Sequence, residues 1–177
     1  MEIILAENHG FCYGVKRAVE MANEAAEGKG KSYTLGPIIH NPQVVGRLES
    51  KGVSPIQEVA DIDEGTMIIR SHGVGPAIYA EAEEKGLHIL DATCPHVKKA
   101  QQDAKSVIED GMTLVILGEK NHPEVKSINL WANNKGIIIE DEESAKKLQI
   151  VEKMGVVVQT TFSQFKFNSI IEILEKK

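Results

Sequence analysis

The 177-residue sequence is poor in cysteine, in aromatic residues and in positive charge. Two cysteines cannot form the dense disulfide framework of a small secreted domain. No apolar run approaches the roughly 18–20 residues that a membrane-spanning helix needs, so no membrane partner is expected. The opening MEIILAENHGFC carries an acid at position 2 and turns polar within a few residues. It lacks the basic start and longer apolar core of a secretory signal, which predicts a cytoplasmic protein. Lys and Arg number 20 against 26 Asp and Glu, and the net charge of −6 argues against nonspecific nucleic-acid binding. It leaves small anionic substrates open, because a few placed donors outweigh the global sign.

What is present is an ordinary globular composition, 42% apolar and 26% charged, long enough for one domain or two small ones with a real core. In a reducing compartment the two cysteines are candidates for thiolate chemistry or metal ligation, with two inert buried thiols as the alternative.

Aligning the cysteines exposes an internal repeat. Cys12 begins C-Y-G-V-K-R-A and Cys94, 82 residues later, begins C-P-H-V-K-K-A. Each follows a strand-like run, Ile3-Ile4-Leu5 or His88-Ile89-Leu90, and precedes a helical pattern. Ala18, Val19 and Ala22 space the first helix; Val97, Ala100, Ala104, Val107 and Ile108 space the second. Downstream, Leu35-Gly36 leads to His40, Pro42 and Val44, and Leu117-Gly118 leads to His122, Pro123 and Val125. His40 and His122 each lie 28 residues after their cysteine. A further apolar run in each half, Met67-Ile68-Ile69 or Val156-Val157-Val158, ends in Arg70-Ser71-His72-Gly73 or Gln159-Thr160-Thr161.

Apolar runs alternating with helical patterns predict an α/β fold of repeated units with mostly parallel sheets. Ligands of such sheets gather at the carboxyl ends of the strands. Cys12, His40 and His72 are therefore expected at one edge of the first half, and Cys94, His122 and Thr160 at one edge of the second. The expected organisation is a leading strand over 1–12, one unit over 13–93 and a second over 94–177. With this period a third unit would open near position 176, so the chain reads as two units of a structure that wants three.

Each cysteine starts a helix, where the helix dipole favours a thiolate. Their wide spacing matches no zinc-finger or ferredoxin run, so any site is assembled by the fold. His40, His72 and His122, with Ser71, Thr160 and Thr161, promise a donor-rich pocket without Asp or Arg, suited to a diphosphate. Glu124 stands where the first half has Gln43. It is either a proton-passing carboxyl beside a histidine or a surface glutamate on a first helical turn. His9, His88 and His96 read as structural or solvated. Charge-rich residues 81–85 and 140–147 read as solvated faces, and Gly28 to Lys31 as a turn rather than a phosphate loop. Ile170, Ile171 and Leu174 predict a C-terminal amphipathic helix.

Six motifs in order now carry a resemblance: G-F-C-Y-G-V-K-R-A at 10–18, H-N at 40–41, S-H-G-V at 71–74, D-A-T-C-P at 91–95, H-P-E-V at 122–125 and Q-T-T at 159–161. Over its whole length the sequence resembles the 4-hydroxy-3-methylbut-2-enyl diphosphate reductases, oxidoreductases of the non-mevalonate pathway of isoprenoid biosynthesis. The resemblance implies three similar α/β units around an iron–sulfur cluster, two of them present here. It implies Cys12 and Cys94 as two of three protein ligands to a [4Fe–4S] cluster, with the third ligand outside this chain. His40, His72 and His122 would hold the substrate's diphosphate, Glu124 would deliver protons, and Thr160 would hydrogen-bond near the substrate hydroxyl. The reaction implied is reductive dehydroxylation to isopentenyl and dimethylallyl diphosphate, with electrons from a ferredoxin- or flavodoxin-type donor. A chain with two of three cysteines is expected to be poorly active or inactive alone. The competing expectation is a noncatalytic diphosphate-binding or metal-binding α/β module, including a zinc or dithiol protein.

Overall fold

The computed structural model describes residues 2–7, 9–28, 30–149 and 152–177. Helix α1 (Tyr13–Glu27) leads into strand β1 (Ser32–Leu35), helix α2 (Pro42–Glu49) and strand β2 (Val53–Ile56). A single 3-10 turn at Val59–Asp61 precedes β3 (Thr66–Ile69), α3 (Pro76–Glu84) and β4 (His88–Asp91). The second half repeats the order with α4 (Pro95–Glu109), β5 (Thr113–Leu117), α5 (Pro123–Trp131) and β6 (Ile137–Ile139). It closes with α6 (Glu142–Lys147), β7 (Met154–Val158) and α7 (Gln164–Leu174).

The strands form two sheets, ordered β2-β1-β3-β4 and β6-β5-β7, and every pairing is parallel. The repeated parallel α/β fold expected from the sequence is therefore present. Parallel strands need crossover helices, which cover both faces of a sheet and make its strands apolar on both sides. Successive residues consequently divide between opposite faces. Ile68 packs with Ala18 and Ala22 of α1, whereas Met67 and Ile69 pack with Ala82 of α3. Likewise Leu114 and Ile116 meet Ala100 and Ala104 of α4 and Ile128 of α5, while Val115 and Leu117 meet Ala145, Ile170 and Leu174. The helical periods read in α1, α4 and the C-terminal helix thus mark their buried stripes.

One expected strand is missing. Ile3, Ile4 and Leu5 are 74–83% exposed and form no strand. Their counterpart His88-Ile89-Leu90 becomes β4 because it finds β3 alongside, with Ile68 paired to Leu90. A lone extended segment has no neighbour for its backbone groups, and apolar content alone does not make it a strand. The run that precedes Cys94 joins the first sheet, so the strand that leads to the second cysteine belongs to the first unit. The turn expected at Gly28 to Lys31 lies partly outside the described residues, since Lys29 is not described; Gly28 caps α1.

The halves are fastened to each other by specific contacts. Trp131 Nε1 donates to Val74 O at 2.9 Å, and the Trp131 ring meets Tyr79 edge-on at 6.0 Å. Within the first half, Arg17 of α1 donates to the carbonyls of Asp91 and Thr93 in the stretch leading to Cys94, at 3.4 and 3.3 Å.

Candidate functional site

Each cysteine is the N-cap of its helix, Cys12 on α1 and Cys94 on α4, and neither is in a disulfide. Cys12 is exposed and Cys94 half-buried. The starts of the two helices adjoin at Gly14. A Cβ at Gly14 would come within 2.5 Å of Cys94 Sγ, so only glycine leaves room for that thiol. Asp91 shapes the approach to Cys94 by accepting from Thr93 N at 2.9 Å and pairing with Lys98 at 2.6 Å. Cys94 N then donates to Ser71 O at 2.9 Å, which ties the second cysteine to the residue before His72.

The three candidate histidines form one cluster drawn from both halves. Ring centroids lie 4.6 Å apart for His40 and His72, 5.4 Å for His72 and His122, and 6.0 Å for His40 and His122. One ring nitrogen from each falls within 4.8 Å of the others. The two edges, His40 and His72 in one half and His122 in the other, thus meet, and the three rings lie in one pocket. The loop after β5 turns back against the loops after β1 and β3, which makes a composite site. Nor are His40 and His122 equivalent despite equal spacing. His122 is the N-cap of α5, whereas the N-cap of α2 is Asn41, whose side chain accepts from Gln43 N and Val44 N. H-N-P in one half and N-H-P in the other put the imidazoles one position apart.

The rings differ in what they bond. His122 Nδ1 accepts from Glu124 N at 3.2 Å, so in the neutral ring the proton sits on Nε2 and points as a donor. His72 Nδ1 is buried with no hydrogen-bond partner. Burial, then the nearby charges of His40, Arg70 and His122, lower the His72 pKa to about 4. The ring is therefore neutral near pH 7. Arg70, two residues before His72, is near enough for its charge to act on that ring.

Glu124 is not a surface residue. It is 2% exposed, and its carboxylate accepts from Thr160 N at 2.6 Å and from Thr160 Oγ1 at 2.9 Å. The loop after β7 thus reaches the first turn of α5, and Thr160 itself is exposed, with its hydroxyl between the carboxylate and solvent. Gln159 fixes that loop from within, accepting from Glu119 N at 2.9 Å and donating to Thr161 Oγ1 at 2.9 Å.

A buried pair missed in the sequence holds these parts together. Ser127 Oγ lies 2.8 Å from His72 O and 2.9 Å from Glu124 O, and Gln101 Nε2 donates to it at 3.2 Å. Both side chains are 2% exposed. Polar residues in the apolar stripes of α4 and α5 were the available signal. His9, His88 and His96 stand apart: His9 bonds the Ala6 carbonyl, His88 is exposed beside Thr66, and His96 is exposed.

Comparison with known proteins gives consistent relatives. The family described as LytB protein matches residues 3–177. The 4-hydroxy-3-methylbut-2-enyl diphosphate reductase of Geobacter metallireducens is 51% identical over 163 residues, covering 92% of this chain and 58% of that protein. The reductase of that name from Geotalea uraniireducens is 48% identical over 172 residues, 97% of this chain and 61% of that protein. The chain thus spans about three-fifths of the length of these curated relatives. The structure of the E-1-hydroxy-2-methyl-but-2-enyl-4-diphosphate reductase from Plasmodium falciparum superposes with a TM-score of 0.90 at 32% identity, covering 96% of this chain and 55% of that one. A solved (E)-4-hydroxy-3-methyl-but-2-enyl diphosphate reductase gives 0.84 at 43% identity, covering 98% and 63%. No helix of the described residues is long and apolar enough to cross a membrane. With these six motifs in order and a family match across almost its whole length, the chain belongs to the LytB protein family.

Proposed function

We propose that this chain supplies the diphosphate clamp, the proton-delivering pair and two cluster cysteines of an iron–sulfur 4-hydroxy-3-methylbut-2-enyl diphosphate reductase. The observation that carries the reading is the composite site: three imidazoles within reach of one anion, beside a buried carboxylate bonded to Thr160. The residues 13–93 and 94–177 act as the two repeat units, since the first sheet ends at Asp91 and the second begins at Thr113.

The donor set fits an iron–sulfur group as far as it goes. Two unpaired cysteines start adjoining helices, and Gly14 leaves a cradle at Cys94 Sγ that a Cβ would fill. Cys12 and Cys94 would hold a [4Fe–4S] cluster with a third protein ligand from outside these residues. When bound, the cluster supplies electrons and a Lewis-acidic iron toward the substrate hydroxyl.

The remaining chemistry lies in this chain's own side chains. His40, His72 and His122 donate to the diphosphate, whose charge offsets the cost of charging His72 in a half-buried position. That clamp fixes the small alkyl part of the substrate. Glu124, when protonated, passes its proton to Thr160 Oγ1, and the threonine hydroxyl passes its own to the departing hydroxyl. Two electrons and two protons convert the allylic alcohol to isopentenyl or dimethylallyl diphosphate and water. A ferredoxin- or flavodoxin-type protein would deliver the electrons.

The histidine cluster also has the spacing of a metal site. His122 favours the anion, because a metal at Nε2 would need the proton on Nδ1, which already accepts from Glu124 N.

The test joins this chain to the remaining two-fifths of the Geobacter metallireducens reductase and assays it anaerobically with chemically reduced viologen. The fusion should reduce the substrate, and the 177-residue chain alone should be poor or inactive, since two cysteines leave the cluster short of a ligand. Glu124→Gln in the fusion should lower the rate by about 10²–10⁴-fold with little change in substrate binding. A fully active Glu124→Gln fusion would remove the carboxyl from the mechanism. Zinc in the purified chain, bound at the histidines, would favour the module reading.

A further inference from the structure

We propose a second anion site, separate from the histidine cluster. It is the cleft between the two halves at the carboxyl ends of β1, β2 and β3, where Arg70 and Lys126 hold a small oxyanion of the phosphate class. The cleft encloses about 350 Å³ and is lined by Arg70 and Gln57 from the first half and Asn121, Lys126 and Leu130 from the second. No aspartate or glutamate lines it among the described residues, and none of the three clustered histidines does.

Arg70 carries the argument. It leaves the end of β3 and lays its guanidinium over Gly36, where a Cβ would come within 2.9 Å of Nη1. Gly36 itself has φ +70°, a conformation that glycine adopts without steric cost. Arg70 is half-buried and its Nε is buried without a hydrogen-bond partner. None of the ion pairs among the described residues includes Arg70 or Lys126. A partly desolvated guanidinium without an acceptor is costly to keep, and burial holds its pKa below the ordinary value. Such a group is compensated by an acceptor that matches its fork, which a phosphate oxygen pair does. The amides of Gln57 and Asn121 and the exposed ammonium of Lys126 add donors around the same space. The second half shows the contrast. At the carboxyl ends of β5, β6 and β7 the corresponding pocket is walled by Glu119, Glu140 and Asp141, with Lys166 as its one cation. Of these two sites, only the cleft between the halves has basic side chains and no acidic one among the described residues.

The experiment is calorimetric titration of the 177-residue chain with inorganic pyrophosphate and, separately, inorganic phosphate. It is run on the native chain, on a variant with His40, His72 and His122 all changed to Ala, and on that variant with Arg70→Gln added. The native chain should bind two equivalents of pyrophosphate and the histidine variant one. Arg70→Gln should weaken the remaining site by at least about tenfold, the loss expected for one charge-assisted bond. Binding of both probes there would show that one phosphoryl group suffices; pyrophosphate alone would assign the site to diphosphates. Acetylation of Lys126 in the histidine variant, mapped by peptide mass, should slow when pyrophosphate is present, a readout that needs no change at Arg70. If the histidine variant binds neither anion, or binds equally after Arg70→Gln with Lys126 unprotected, the second site is overturned. Loss of all binding in the histidine variant would leave the diphosphate clamp standing. A single equivalent untouched by the histidine changes and abolished by Arg70→Gln would support the second site and remove the clamp.

Discussion

Glycine 14 shows how one missing methyl shapes the site. Gly14→Ala should raise helix propensity by about 0.8–1 kcal/mol yet push Cys94 Sγ away, since the new Cβ would lie 2.5 Å from it. In the fusion described above, iron bound per chain after anaerobic reconstitution should fall while thermal stability holds or rises. Unchanged iron uptake would show that the cradle does not matter. His72 makes a second prediction at this scale. Its pKa is lowered to about 4 from 6.5, first by burial. The unfolded chain therefore takes up a proton in a range where the folded chain does not, and this contribution to stability is lost as pH falls from 6.5 toward 4. Urea midpoints should decline across that window, and less steeply in His72→Asn. Pyrophosphate should flatten the decline, because a bound anion favours the charged ring. At this scale the sequence was legible where a residue type declares its chemistry: Cys12 and Cys94 at helix starts, histidines after strands. Arg70 was not, because an arginine that follows a strand carries no mark of the space it will occupy.

At the scale of elements, the helix N-termini carry the site. Asn41 caps α2 with its side chain and stands next to His40. Asn41→Ala should cost about 1 kcal/mol in chemical denaturation and weaken pyrophosphate binding by loosening His40; an unchanged midpoint would show that the cap is replaceable. Ser127→Ala removes a hydroxyl between α5 and the His72 loop and strips Gln101 Nε2 of its partner inside the protein. Leaving a buried donor unpaired should cost about 1–3 kcal/mol, measured in the same way. The apolar runs Met67-Ile68-Ile69 and Val156-Val157-Val158 fall in β3 and β7, where each finds a parallel partner strand. The same rule failed at Ile3-Ile4-Leu5. That segment is as apolar as β4, but a strand exists only beside another strand, and this one has none within the described residues.

The whole molecule depends on how the two halves meet. The one tryptophan sits on that junction, bonded to Val74 O and packed on Tyr79. Its fluorescence should therefore report separation of the halves, and far-UV circular dichroism should report loss of the sheets. Coincident urea transitions are expected, because the junction includes the buried Gln101–Ser127 pair and the histidine cluster. An earlier fluorescence transition would show that the halves part before they unfold. Trp131→Phe keeps most of the apolar contact and loses one hydrogen bond, and should cost about 1 kcal/mol.

The sequence by itself determined the repeat, the parallel α/β architecture and the residue types of the site, because periodicity and helix-start positions are local properties of a chain. Tertiary structure alone decided how the edge that carries His40 and His72 meets the edge that carries His122. It also decided that Glu124 is buried against Thr160 and that Arg70 faces a cleft with no carboxylate. These outcomes depend on how loops from two sheets turn toward each other. That geometry is set by packing between residues far apart in the chain, such as Gly14 on Cys94 and Ser127 on His72, and no local pattern encodes it.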